Sequence, residues 1–340
     1  MKSGTLLMAI CFFTLFSCSK KGTSSPNGNP PANLVLNAIV SQDNSGIVNF
    51  TATATNAVVY TFNYGDNATE VTTTGVVSHR YTATGLYTVT VTAKSSTNQT
   101  ASATKTINVS VTAGLVWSDE FDGSGLPDPN KWSFETGAGG WGNNEVQNYT
   151  NRIDNASVSG GTLKITAKAE SFGGSSYTSA RLVTKGKYSF KYGKIEASIK
   201  LPTGVGTWPA FWMLGDNVNT TPWPACGEID IMEHLGRQLN VIYSTLHHPG
   251  HSGSNGDGST TTISGATTSF HKYTAEWSSS NIKFYVDDVL FYNFANSSNL
   301  PFNANFFIIL NMALGGNFGG PLDPAFTSAV MEIDYVRVYQ

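Results

Sequence analysis

Three carboxylates fall within six residues of one apolar stretch, Gly227-Glu228-Ile229-Asp230-Ile231-Met232-Glu233-His234. Acids clustered in this way have three chemical outlets: they ligate a metal, they form a charged solvated face, or they carry acid/base and nucleophilic chemistry. The large apolar residues between them, and the tryptophans nearby, argue against a merely solvated face. Cleavage of a glycosidic bond needs one carboxylate ionised beside another that is protonated, and mutual proximity drives the two pKa values apart. A pair that retains anomeric configuration sits about 5–5.5 Å apart.

An alternating strand can present such a set. Successive side chains point to opposite faces, so Glu228 and Asp230 share one face and Ile229 and Ile231 the other. Strict alternation would then bury Glu233, which is costly without a partner. One extra residue, a β-bulge after Ile231, returns Glu233 to the acidic face, and bulges commonly re-aim side chains at active sites. The spacing along a flat strand is too wide for the retaining geometry, so sheet curvature and side-chain lean must bring the acids together. Asp230, lying between, can hydrogen-bond Glu228. In Thr207-Trp208-Pro209-Ala210-Phe211-Trp212-Met213-Leu214 the two tryptophans share parity and Phe211 and Met213 take the other face. That parity places Trp208 and Trp212 in a cleft as platforms for the apolar face of a sugar; the alternative is that both are core. Trp223 is a further candidate. Cys226 shares parity with Glu228 but has no base partner and reads as a small apolar filler.

The surrounding chain is all-β in character. Of its 340 residues 40% are hydrophobic and only 13% charged, with 20 Lys and Arg against 23 acids and a formal net charge of −3. No clustered excess of cation exists for nucleic acid, and charged disordered tails and coiled coils are excluded. Short alternating segments recur throughout, among them 161–167, 192–199 and 281–286, and 331–339 forms a closing strand that should pair near the start of its domain. At the N-terminus Lys2 precedes an apolar run, Leu6 to Phe16, too short to span a bilayer. The run ends in Leu15-Phe16-Ser17-Cys18, which resembles a bacterial lipobox and implies cleavage after residue 17 and lipidation of Cys18. Residues 18–33 then form a flexible tether, and Cys226 is left as the remaining thiol with no disulfide partner.

Residues 34–112 read as a small immunoglobulin-like β-sandwich. The segments Phe62-Asn63-Tyr64-Gly65-Asp66-Asn67, His79-Arg80-Tyr81 and Gly85-Leu86-Tyr87-Thr88-Val89 resemble a PKD domain in degenerate form. Such a domain implies a spacer or a weak polysaccharide-binding module. His79 reads as a packed or capping residue rather than a metal ligand.

Residues 115–340 fit one large antiparallel sandwich. Glu228-Ile229-Asp230-Ile231-Met232-Glu233 resembles the bulged signature of glycoside hydrolase family 16. Val116-Trp117-Ser118-Asp119-Glu120-Phe121-Asp122, Trp141-Gly142-Asn143-Asn144-Glu145, Tyr192-Gly193-Lys194-Ile195-Glu196-Ala197 and Asn311-Met312-Ala313-Leu314-Gly315-Gly316-Asn317 extend the likeness over the whole domain. The resemblance implies a concanavalin-like β-jelly-roll, retention of configuration, Glu228 as nucleophile, Glu233 as general acid then base, and Asp230 as assisting carboxylate. By the same resemblance Asn143, Glu145 and Arg181 contact sugar hydroxyls and His247 lies near the acids, whereas His248 and His251 match nothing and read as loop residues. A structural calcium at Glu120, Gly161 and Asp334 is also implied, with ordinary surface hydrogen bonding as the alternative; catalysis needs no cofactor.

These features lead us to expect a monomeric, exported outer-membrane lipoprotein, held by its N-terminal lipid and facing either the periplasm or the outside. Its expected activity is endo-hydrolysis of β-1,3-glucan or mixed β-1,3/1,4-glucan. The alternatives are a same-family hydrolase of agarose, carrageenan or porphyran, and a catalytically silent glycan-binding lipoprotein.

Overall fold

The computed structural model describes residues 28–42 and 45–340. Cys18, the leader and most of the tether lie outside the described residues. The chain divides into two compact units, Met1–Thr112 and Ala113–Gln340.

The first unit pairs a three-stranded sheet (Ala32–Val40, Ile47–Thr55, Val76–Arg80) with a four-stranded one (Thr69–Thr72, Val59–Asn63, Gly85–Lys94, Thr100–Val109). Its first strand begins at Ala32, two residues inside the segment read as tether, because Leu36 joins the core while its neighbours face out. Alternation does the sorting: Val48, Phe50 and Ala52 are buried, and Asn49, Thr51 and Thr53 between them are exposed. His79 is packed, stacked on Tyr64 with ring centroids 3.9 Å apart and bonded through Nε2 to Asp66 at 2.7 Å.

The second unit is a sandwich of a ten-stranded and a seven-stranded sheet around one apolar core. In the seven-stranded sheet the order is Asp257–Thr262, Val241–His247, Glu228–His234, Thr207–Gly215, Phe306–Leu314, Arg181–Val183, Ser133–Phe134. Phe306–Leu314 is buried at every residue, as suits a central strand covered on both faces. The closing strand Ser328–Tyr339 pairs with Leu115–Asp119 at the domain's start and with Gly193–Lys200 on its other flank. It also pairs with Thr162–Phe172, from Leu163↔Ile333 onward. The ladder on that flank resumes at Asp119↔Val336, so Asp334 and Tyr335 sit where two strands diverge, next to Glu120 and Gly161.

Candidate active site

The acid strand Glu228–His234 carries the bulge that the burial conflict at Glu233 calls for. Asp230 pairs with Thr245 and Glu233 with Tyr243, three steps on one strand against two on the other. Ile231 and Met232 consequently both enter the core, at 2% and 0% exposure, and Glu233 returns to the face of Glu228 and Asp230. The irregular backbone is satisfied locally: buried Ser244 donates its hydroxyl to the Ile231 carbonyl at 2.7 Å.

Neighbouring strands complete the face by the same alternation. On Val241–His247, residues Ile242, Ser244 and Leu246 point inward and Tyr243, Thr245 and His247 point to the acids. On Thr207–Gly215, Phe211 and Met213 are core, and Trp208 and Trp212 face the acids. Trp208 Nε1 donates to Glu233 Oε1 at 2.9 Å, and Thr245 Oγ1 lies 3.3 Å from Glu233 Oε2. His247 Nε2 is 3.2 Å from Asp230 Oδ2 and 3.7 Å from Glu228 Oε1. Trp223, 46% exposed, lies with its ring centroid 5.9 Å from that of His247.

All three acids are held above the ordinary carboxylate range. Burial is the main cause for each; the charge of Asp230 adds to it at Glu228, and the charge of Glu233 adds to it at Asp230. Glu233 is raised by burial, against the opposing pull of the Trp208 and Thr245 hydrogen bonds and of His247. The set therefore keeps a proton where an isolated carboxyl would have lost it. Asp230 Oδ2 and His247 Nδ1 are buried without a hydrogen bond within the chain. Atoms of Glu228, Asp230 and His247 lie within 4.8 Å of one another, so this corner has the spacing of a metal site as well as of an acid/base set.

A second cluster lies across the central strand. Arg181 donates through Nε to Glu135 at 2.7 Å, and its guanidinium carbon lies 4.7 Å from the Trp212 ring centroid and 5.0 Å from that of Trp141. Behind it runs a continuous chain of hydrogen bonds: Trp212 Nε1 to Asn311 (2.7 Å), Asn311 to the Tyr149 hydroxyl (2.9 Å), and Tyr149 to Glu145 (3.2 Å). Glu145 also accepts from Gln147 at 2.6 Å and from Asn143 at 3.4 Å, while burial raises its pKa. Asn143, Glu145 and Arg181 are thus brought into one network with Trp212.

Trp141, Tyr149, Gln147 and Asn311 were not singled out in the sequence, although Trp141 and Asn311 lie inside quoted motifs. An indole two residues before Asn143, in a glycine-rich segment, was the available signal for Trp141. Cys226 is fully buried and burial raises its pKa, as a filler requires. Glu120, Gly161 and Asp334 belong to the other sheet, away from the acids. There both carboxylate oxygens of Glu120 accept from Arg337, at 3.0 and 2.7 Å. His248 and His251 lie in the loop that follows Val241–His247, as read from the sequence, and there each bonds a different oxygen of Asp257.

Residues 143–337 match the model of glycosyl hydrolases family 16, and residues 27–111 match that of the PKD domain. A β-glucanase of Rhodothermus marinus is 47% identical over 242 residues, spanning 66% of this chain and 85% of that protein. The crystal structure of the laminarinase from Rhodothermus marinus superposes with a TM-score of 0.65 at 46% identity, covering 67% of this chain and 98% of that one. LamA of Z. galactanivorans, solved in complex with laminaritriose and laminaritetraose, gives a TM-score of 0.62 at 45% identity, over 66% of this chain and 98% of that one.

Proposed function

Because the chain belongs to the glycosyl hydrolases of family 16, we propose that it is a retaining endo-hydrolase of β-1,3-linked or mixed β-1,3/1,4-linked glucan. The supporting observation is the bulged strand that turns three carboxyls to one face between two aromatic clusters, where Asp230 and Glu233 are buried, Glu228 is partly buried, and burial and mutual repulsion keep a proton within the set. Family 16 glucanases need no cofactor for catalysis.

Glu228, ionised, attacks the anomeric carbon and forms a glycosyl ester. Glu233 holds the proton for the leaving oxygen; its Oε1 accepts from the Trp208 N–H and its Oε2 lies 3.3 Å from the Thr245 hydroxyl. After departure, Glu233 takes a proton from water, which attacks the ester from the vacated side. Asp230, bracketed by both glutamates and 3.2 Å from His247, shares the proton load while Glu228 changes between charged and esterified forms. Trp223 and His247 line one flank; Arg181, Trp141, Trp212, Asn143 and Glu145 line the other. Arg181 is neutralised by Glu135 and covered by two indoles, an arrangement that suits an uncharged glucan better than a sulfated galactan.

Reducing-end release from laminarin, lichenan, agarose and carrageenan by the wild type and by Glu228→Gln tests the reading. Activity on the first two, lost in the variant, is expected; activity on none, or equal activity in the variant, refutes it.

Two finer proposals accompany it. A calcium ion at the strand divergence would take the carbonyls of Glu120 and Gly161 and the carboxylate of Asp334, pinning three chain segments; a calcium-dependent rise in melting temperature, absent in Asp334→Asn, is expected. Lipidation of Cys18 would anchor the chain in the outer membrane, and Cys18→Ala should release it from the membrane fraction and abolish incorporation of labelled palmitate.

A further inference from the structure

We propose that His248, His251 and Asp257 form a binding site for a zinc-class divalent metal ion, in the connection between the strands Val241–His247 and Asp257–Thr262. His248 Nε2 lies 2.9 Å from Asp257 Oδ2, and His251 Nδ1 lies 3.0 Å from Asp257 Oδ1. One ligand atom from each of the three residues falls within 4.8 Å of the others. A tetrahedral zinc with bonds of about 2.0–2.1 Å needs its ligand atoms roughly 3.3 Å apart, so small side-chain shifts would open the cluster around an ion.

The backbone already holds the three residues in place. His248 and His251 exchange two main-chain hydrogen bonds, of 2.8 and 2.9 Å, across a turn in which Gly250 adopts a φ of +85°. Asp257 is fixed in the ladder opposite Leu246. The two imidazoles lie nearly parallel, 19° apart, with centroids separated by 4.7 Å. His248 is only 6% exposed and is backed by Phe294 and Phe302, with centroids 6.0 and 5.7 Å away, which restricts its ring. His251 keeps 48% of its side chain exposed, so an ion has an entry path and a fourth position open to water.

The donor set chooses the metal class. Two imidazoles and a carboxylate suit zinc and its first-row neighbours, whereas calcium and magnesium favour oxygen cages. With neutral imidazoles the cluster carries one negative charge, which a dication offsets. Binding would clamp the hairpin that also presents Thr245 and His247 to the acids.

Titration calorimetry of the chelator-stripped full chain with zinc chloride, paired with melting curves, tests the proposal. One equivalent should bind and raise the melting temperature, while calcium chloride should give no matching heat. His251→Ala and Asp257→Asn should each weaken zinc binding by more than about tenfold, while each still melts cooperatively in the absence of metal. Glu228→Gln should bind zinc as the wild type does, which separates this cluster from the corner of Glu228, Asp230 and His247. Absence of zinc binding by the wild type, or binding that survives in His251→Ala and disappears in Glu228→Gln, would overturn the assignment.

Discussion

Each half of the molecule sets a histidine against an aspartate, and the two pairs have opposite characters. In the small sandwich, burial alone would raise the pKa of Asp66, but the hydrogen bonds from His79 and the Ala68 N–H outweigh it and hold the carboxyl below its ordinary value. His79 is bonded at 2.7 Å and stacked on Tyr64, and every contact favours the resting arrangement. In the large sandwich, His247 approaches Asp230 at 3.2 Å without a hydrogen bond of good geometry, an oxygen of Asp230 and a nitrogen of His247 are buried unpaired, and the carboxyl is held well above its ordinary value. The residue types are the same and the compensation differs. A pair whose polar groups are all answered stabilises the fold; a pair left in deficit is poised to exchange protons with something not yet bound.

The contrast is broken most sharply by neutralising one acid. Glu228→Gln or Glu233→Gln should cut laminarin hydrolysis by about 10⁴-fold, measured as reducing ends, whereas His79→Ala should leave it unchanged. His247→Ala should cost about tenfold to a hundredfold and move both limbs of the pH–rate profile upward, because His247 lowers the pKa of both Glu228 and Glu233. Trp208→Phe should cost about tenfold, the worth of one partly buried hydrogen bond. Its signature is a selective upward shift of the alkaline limb, since the lost N–H had been lowering the pKa of Glu233.

Stability reports the same deficit with the sign reversed. The folded pKa of Glu228 exceeds its unfolded value, so between the two the folded state binds more protons and stability falls as pH rises through that window. Glu228→Gln should therefore melt higher than the wild type at neutral pH by a few degrees, at about 2–4 °C per kcal/mol. His79→Ala should instead lose about 1–2 kcal/mol, by removing a hydrogen bond and a stacked ring, seen as an earlier transition of the first unit in calorimetry.

What could be read ahead of the structure follows from the range of the interactions. Alternation is local, so the all-β class, the inward Phe211 and Met213, and the outward Trp208 and Trp212 were legible residue by residue. The bulge was legible because alternation and the cost of burying Glu233 contradicted each other within six residues. The bond from Trp208 to Glu233 spans 25 residues and that from Asn311 to Tyr149 spans 162; nothing periodic in the chain encodes either. The indoles on both sides of Arg181 and the joining of His248 and His251 at one aspartate are products of sheet order and turn geometry, and they become visible only with the fold.

The bulge has a consequence for how this chain tolerates insertions and deletions. Removing one residue from a strand ordinarily turns everything beyond it inside out. Here Ile231 and Met232 already point the same way, so deletion of Met232 alone would restore simple alternation and leave Glu228, Asp230 and Glu233 on one side. The loss is one buried thioether and a cavity, a matter of about 2–5 kcal/mol, together with the bent carbonyl that Ser244 caps. The acid strand is thus a place where the chain can change length and keep its chemistry, while exchange of a single carboxyl for an amide cannot be absorbed.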